Sequence, residues 1–465
     1  MLSQMLMGFF DTWMVGQIGV PAKVVLGLRI PLDTVAQAGA GRVPLAGIVP
    51  AHIGFVAVFT LFVGTASGVA TFAAQALGRG QPTESTRYAW QSFYLAILTL
   101  AVSLGAHVAA PAVFGLFAAS GEVLVVELAY FQIIVWSLPL LVMTSGLRSF
   151  FQGIHRPIVP AVVGIGANVL NLGLNWLLIY GHAGLPRLGV AGAALGSVIA
   201  MAAGTAVLMA CYLAPAVARI YDTRRSWRPS AARIGRLVWV GAPIGASWLL
   251  DLIGWSLMVV VIVQKVGQRL GEAHPAATNA AMSYLQLGFM PVVGVGLGMG
   301  ALVGKAIGQG RVGWARRYAS AGFAIGGGYQ LIVGVLMIVF RRELIEFFSD
   351  DPEVIRIGSV AMIWAGLFQF SDAMGIIFGS ALRAVGDTAY PMAVTAMLIL
   401  GLFVPVSLVA TWWVLPHVWP DLISMGPWMG GTVYVVLLGL ILWYRWLGRS
   451  WERIDVFAAP RPPAA

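Results

Sequence analysis

Apolar runs of about twenty residues or more recur along the whole chain, separated by short segments that hold most of the charge. They show no alternation of period two, so transmembrane β-strands are excluded. A run of this length crosses about 30 Å of hydrocarbon as a helix. Twelve spans follow from the pattern, at approximately 1–19, 46–75, 89–117, 124–147, 157–181, 189–215, 235–264, 277–304, 316–340, 355–382, 389–416 and 424–447. The chain therefore reads as an all-α polytopic membrane protein. Its composition agrees: 59% of residues are hydrophobic and 10% charged, where a soluble domain has about 25% charged.

Within the runs, three carboxylates stand alone. Asp372 is the only charged residue between Arg356 and Arg383, Asp251 the only one between Arg236 and Lys265, and Asp11 the only one before Lys23. An acid in mid-bilayer costs roughly 2.5–3.5 kcal/mol even on the lenient insertion scale. A fixed hydrogen-bond partner, or a proton or Na⁺ that comes and goes, must offset it. Asp251 and Asp372 are the candidate Na⁺ ligands. Pro243, upstream of Asp251, is placed to bend its helix and free carbonyls. In ANVLNLGLNW, Asn171 and Asn175 share a helix face with amide oxygens that suit a hard cation or a protonated carboxyl. Gln75, Tyr284 and Gln286 are candidate cavity lining. No nucleophile–base pair or metal-ligand spacing points to an enzyme, and GVGLGMG at 294–300 lies inside a span, where glycine serves helix packing.

Charge sets the topology. Most of the 28 Lys and Arg fall in alternate loops, which places both termini in the cytoplasm of a cell whose inner membrane holds the protein. The net charge of +10 is thereby topological, with no nucleic-acid partner implied. The longest cytoplasmic connection divides the chain into a six-helix bundle (1–215), a linker (216–235), a second bundle (236–448) and a tail (449–465). Short internal matches support a repeat: AAQALGRGQ with VGKAIGQGR aligns Gly78 with Gly308, and LRSFFQGIHRPIVP with LRAVGDTAYP aligns Arg148 with Arg383. Even-numbered halves share one orientation, related by an axis along the membrane normal. The first span is barely long enough to cross, as expected if its beginning has been removed from the chain.

DTWMVG, AAQALGRG, LRSFFQG, LNLGLNWLLIYG and GVAGAALGS in the first half, with GAPIGASWLLD, GKAIGQG, FSDDPEVI and FQFSDA through LRAVGDTAYP in the second, resemble the multidrug and toxic compound extrusion (MATE) family, in its NorM-like branch. The resemblance covers almost the whole chain, in order. It implies two six-helix bundles in a V around a central cavity. It implies a monomer in lipid that exports small organic cations in exchange for Na⁺ or H⁺, with no cofactor. Asp11, Asp251 and Asp372 match the family's acids in helices one, seven and ten. Asn171 and Asn175 match its fifth-helix polar pair, and Ser197 a sixth-helix hydroxyl. Two departures stand out: some relatives carry an acid where Asn175 stands, and the proline early in their first helix has no counterpart here. The alternative, a lipid-linked saccharide flippase of the same superfamily, would need basic residues lining its cavity, and no span carries one at mid-membrane.

Overall fold

The computed structural model describes residues 42–115, 121–186 and 188–458. Eleven helices among them are long and apolar enough to cross a membrane. The first expected span, and Asp11 with it, lies outside the described residues. Along the chain come α1 (Arg42–Ser67), α2 (Val69–Gly78), α3 (Pro82–Gly115), α4 (Gly121–Ile134), α5 (Leu138–Gly153), α6 (Ile158–Tyr180), α7 (Gly189–Leu213) and α8 (Pro215–Tyr221). There follow α9 (Ala231–Ser256), α10 (Gln264–Leu270), α11 (Ala273–Gly308), α12 (Val312–Val339) and α13 (Arg341–Glu346). The last are α14 (Pro352–Val385), α15 (Ala389–Leu398), α16 (Val404–Val409), α17 (Leu415–Val418) and α18 (Gly426–Leu447). Helices outrun their hydropathy limits where polar residues can serve a terminus. At α14, Asp351 caps the helix by accepting from the Glu353 amide at 2.8 Å, and Pro352 fills the first helical position.

The described chain divides into two compact units, one of residues 42–69 and 82–238 and the other of 70–81 and 239–458. In the first, Phe55, Phe114, Phe131, Ile134 and Ile179 form the centre of the core. Ile158, Val162, Ile165, Val169, Leu172 and Trp176 recur on one face of α6 at three- and four-residue steps and are exposed. An apolar stripe left outside in this way faces lipid. The connection after α8 is tied down along α3: Trp90 Nε1 donates to the Thr223 carbonyl at 2.7 Å, Ser230 N to Gln91 Oε1 at 2.9 Å, and Arg233 pairs with Glu84 at 3.2 Å. The expected linker is therefore packed against the first unit over most of its length.

The second unit packs α11, α12 and α18 around α14. It also takes in the end of α2, which crosses α11 at two glycines. A Cβ on Gly78 would collide with the Lys305 carbonyl, and one on Gly308 with the Gln75 carbonyl. These are the glycines that the internal repeat aligns, and they meet each other. α9 continues uninterrupted through Pro243, with Ser247 Oγ donating to the Pro243 carbonyl at 2.9 Å. The departure from α geometry comes later, as a π-helical segment over Leu257–Val263. After α18, Trp451 stacks on Trp446 at 4.3 Å, Glu452 pairs with Arg316 at 2.6 Å and Asp455 with Arg79 at 2.7 Å. The described part of the expected tail is thus a strap across the second unit.

Candidate functional site

Asp251 and Asp372 both fall in the second unit. Asp251, on α9, accepts a hydrogen bond from the Tyr434 hydroxyl on α18. Asp372, on α14, accepts from Gln330 Nε2 on α12 at 3.1 Å. Trp255, one turn after Asp251, and Phe368, one turn before Asp372, meet at 6.5 Å. Phe403 closes the aromatic surround, 5.4 Å from both Trp255 and Tyr434.

Among the described residues, neither acid has a basic side chain within 4 Å. Their partners are neutral donors. Gln330 is fully buried, and its Oε1 has no hydrogen-bond partner. The Asp372 carboxylate and the orphaned amide oxygen of the Gln330 that binds it are oxygen donors, the kind a proton or a hard monovalent cation can engage. No cluster of three His, Cys, Asp or Glu capable of holding a heavier metal occurs among the described residues.

The first unit brings its own polar residues into one line. Asn171 Nδ2 donates to Ser197 Oγ at 3.2 Å, and Asn175 Nδ2 to Asn171 Oδ1 at 3.4 Å; all three are buried. The α6–α7 contact is close because Gly196 leaves room for Asn175, whose Oδ1 a Cβ there would approach to 2.5 Å. The proposed lining residues are dispersed. Gln75 is fully buried and donates to the Ala384 carbonyl at 2.9 Å, Tyr284 donates to the Leu344 carbonyl at 2.8 Å, and Gln286 is exposed.

Four residues escaped the sequence pattern. Tyr434 and Gln330 are ordinary in apolar spans, and nothing in their neighbourhood marks them as donors to an acid. Glu127, midway along α4, is 3% exposed and its Oε2 has no hydrogen-bond partner. Arg383 follows directly on the hydropathy span 355–382, where the pattern predicts a loop. It occupies the last turn of α14, half-buried, with Nη2 donating to Ser380 Oγ at 2.9 Å.

Membrane-crossing helices with buried acids among them define an all-α polytopic membrane protein. The MatE family model matches residues 31–177 and 249–422. The chain belongs to the MatE family, in its NorM-like branch, and so is a transporter and not an enzyme. The multidrug resistance protein PmpM of Pseudomonas aeruginosa is 30% identical to it over 433 residues, 91% of this chain and 87% of that one. A probable multidrug resistance protein NorM of Idiomarina loihiensis is 26% identical, with 97% and 92% covered. Among solved structures, an outward-facing multidrug resistance MATE family transporter superposes with TM-score 0.78 at 18% identity, covering 97% of this chain and 93% of that one. The eukaryotic MATE transporter AtDTX14 does so with TM-score 0.78 at 16% identity, covering 97% and 93%.

Proposed function

We propose that the protein is an antiporter that exports organic cations and drugs across the cytoplasmic membrane in exchange for Na⁺ or H⁺. One observation carries this reading: Asp251 and Asp372 lie on membrane-crossing helices of the second unit that meet through Trp255 and Phe368, and each accepts a hydrogen bond from a neutral donor. When both are charged, the site attracts a lipophilic cation, and the aromatic rings beside Asp251 offer faces that favour it. When a proton or Na⁺ neutralises the acids, the organic cation loses its partner. Coupling needs only that the two cations compete for one site or prefer different states. Asp11, with Asn171, Asn175 and Ser197, is proposed as a second polar site in the amino-terminal bundle. Both termini are assigned to the cytoplasm by the distribution of Lys and Arg, and the protein is taken to act as a monomer in lipid.

The flippase alternative is not favoured, because the matched family model and the named relatives are those of multidrug transporters. The test is ethidium efflux from everted vesicles, with Na⁺ and pH gradients imposed separately. Efflux against its gradient under one of the two is expected. Unchanged efflux by Asp372→Asn would overturn the assignment of the acids.

A further inference from the structure

The helix breaks between α1 and α2. Gly68 leaves α geometry, its amide bonding the Thr65 carbonyl at 3.2 Å, one residue short of the helical register. The chain passes from the first unit to the second at the same place, after Val69, so α2 follows a bend and belongs to the second unit. Its seat there is made of small residues. A Cβ on Gly304 would come within 2.8 Å of the Ala74 methyl, and Gly78 crosses Gly308. Such contacts let helix backbones approach and slide, with no long side chain at these positions to disengage. Two polar side chains moor α2 to the last turn of α14: Thr71 Oγ1 donates to the Arg383 carbonyl at 2.8 Å, and Gln75 Nε2 to the Ala384 carbonyl at 2.9 Å.

The strap after α18 supplies the remaining hold. Its root is fixed: Trp451 stacks on Trp446 and donates Nε1 to the Trp446 carbonyl at 2.9 Å, and Val456 fills the space that a Cβ on Gly386 would need. Its tip grips α2 and the residue after it. Asp455 Oδ1 accepts from Arg79 Nη2 at 2.7 Å and from the Phe457 amide at 3.0 Å. The Arg79 guanidinium lies 4.4 Å over the Phe457 ring, and that ring meets Phe72 edge-on at 5.7 Å. Trp451 is buried, whereas the side chains of Arg79 and Asp455 are 32% and 51% exposed. An exposed ion pair contributes little to stability, so the tip can let go while the root stays in place.

We propose that Asp455 and Phe457 are a releasable clasp on α2. They hold α2 in its seat on the second unit, and α2 leaves and regains that seat within each transport cycle. Neither residue contacts cargo; they set the rate of the cycle by how firmly they hold the helix. The inference rests on the reading of the protein as an exporter that alternates between states.

The first test is amide hydrogen exchange on the purified full-length protein, followed by mass spectrometry. Phe457→Ala should speed exchange across α2 about three- to tenfold, the size of one cation–π and one edge-on aromatic contact. Asp455→Asn should speed it about two- to fivefold. Exchange around Trp446 and Trp451 should match the parent. If α2 is as protected in both variants as in the parent, the clasp does not exist. The second test joins Arg79→Cys to Asp455→Cys with a bifunctional thiosulfonate, in a chain whose single cysteine is replaced by Cys211→Ser. Ethidium efflux from everted vesicles should fall about tenfold or more on joining and recover on reduction. Joined protein that exports as fast as reduced protein would show that α2 never leaves its seat, and the proposal is then wrong. Should the cysteine pair fail to fold, hydrogen exchange decides alone. A parent that exports no ethidium under either gradient sinks the export reading, and exchange again decides the clasp.

Discussion

A carboxylate inside hydrocarbon is stable only if its surroundings supply hydrogen bonds or a positive charge. Asp251 and Asp372 each receive one neutral donor, which orients the acid without neutralising it. Asp251→Asn and Asp372→Asn should each reduce efflux at least tenfold at normal expression, measured in everted vesicles. Tyr434→Phe removes only the donor to Asp251. A hydrogen bond to a charged group contributes about 1.5–3 kcal/mol, so initial efflux rates should fall roughly ten- to a hundredfold if the whole term bears on the transport cycle. Rates equal to those of the parent would show that the bond is incidental. The acids were legible because a lone charge in an apolar run is an anomaly. Their donors were not: Gln330 and Tyr434 lie 42 and 183 positions away, and nothing local distinguishes a Tyr that serves an acid from one that serves packing.

At the scale of elements, the helices follow from hydropathy and their ends from local chemistry. The α2–α11 crossing is a matter of space. A methyl group at Gly308 would meet the Gln75 main chain, which cannot swing away as a side chain would. Gly308→Ala should therefore cost about 1–3 kcal/mol, read as a lower melting temperature in detergent. Gly310→Ala would be a poor control, because its positive φ adds strain of its own, whereas Gly313, with open space around it, should tolerate alanine. α9 runs as one helix through Pro243 and departs from α geometry later, over Leu257–Val263. Proline removes one hydrogen bond from a helix, and within a packed bundle neighbouring groups can make up that loss.

At the scale of the molecule, each unit is closed by a segment that its sequence would class as connecting chain. The strap after α18 is held by Trp451, 1% exposed, and by two ion pairs. Trp451→Ala should cost roughly 3–5 kcal/mol, seen as a melting temperature lower by several degrees. The ion pair at Asp455 has a pH sign. Burial would raise its pKa, but hydrogen bonds from the Phe457 and Ala458 main chain and from Arg79, with the charge of Arg79, hold the carboxyl below its usual range. Its contribution is therefore full above the ordinary carboxylate range and is lost as pH falls through the lowered value. A spin label at position 458 should gain mobility over that acid window, and Asp455→Asn should be mobile at every pH.

Hydropathy settled that the chain lives in a membrane as helices, because transfer of twenty apolar residues to lipid outweighs any local preference. The same pattern picked out Asp251, Asp372 and the Asn171–Asn175 face, since polar groups in oil are rare enough to be conspicuous one at a time. Which donors those acids receive, that Arg383 turns back into α14 rather than out to water, and that Glu127 is buried depend on helices distant in sequence. Such pairings carry no local signature. They arise only when side chains from separate spans meet, where the low dielectric makes each contact, or each missing one, count.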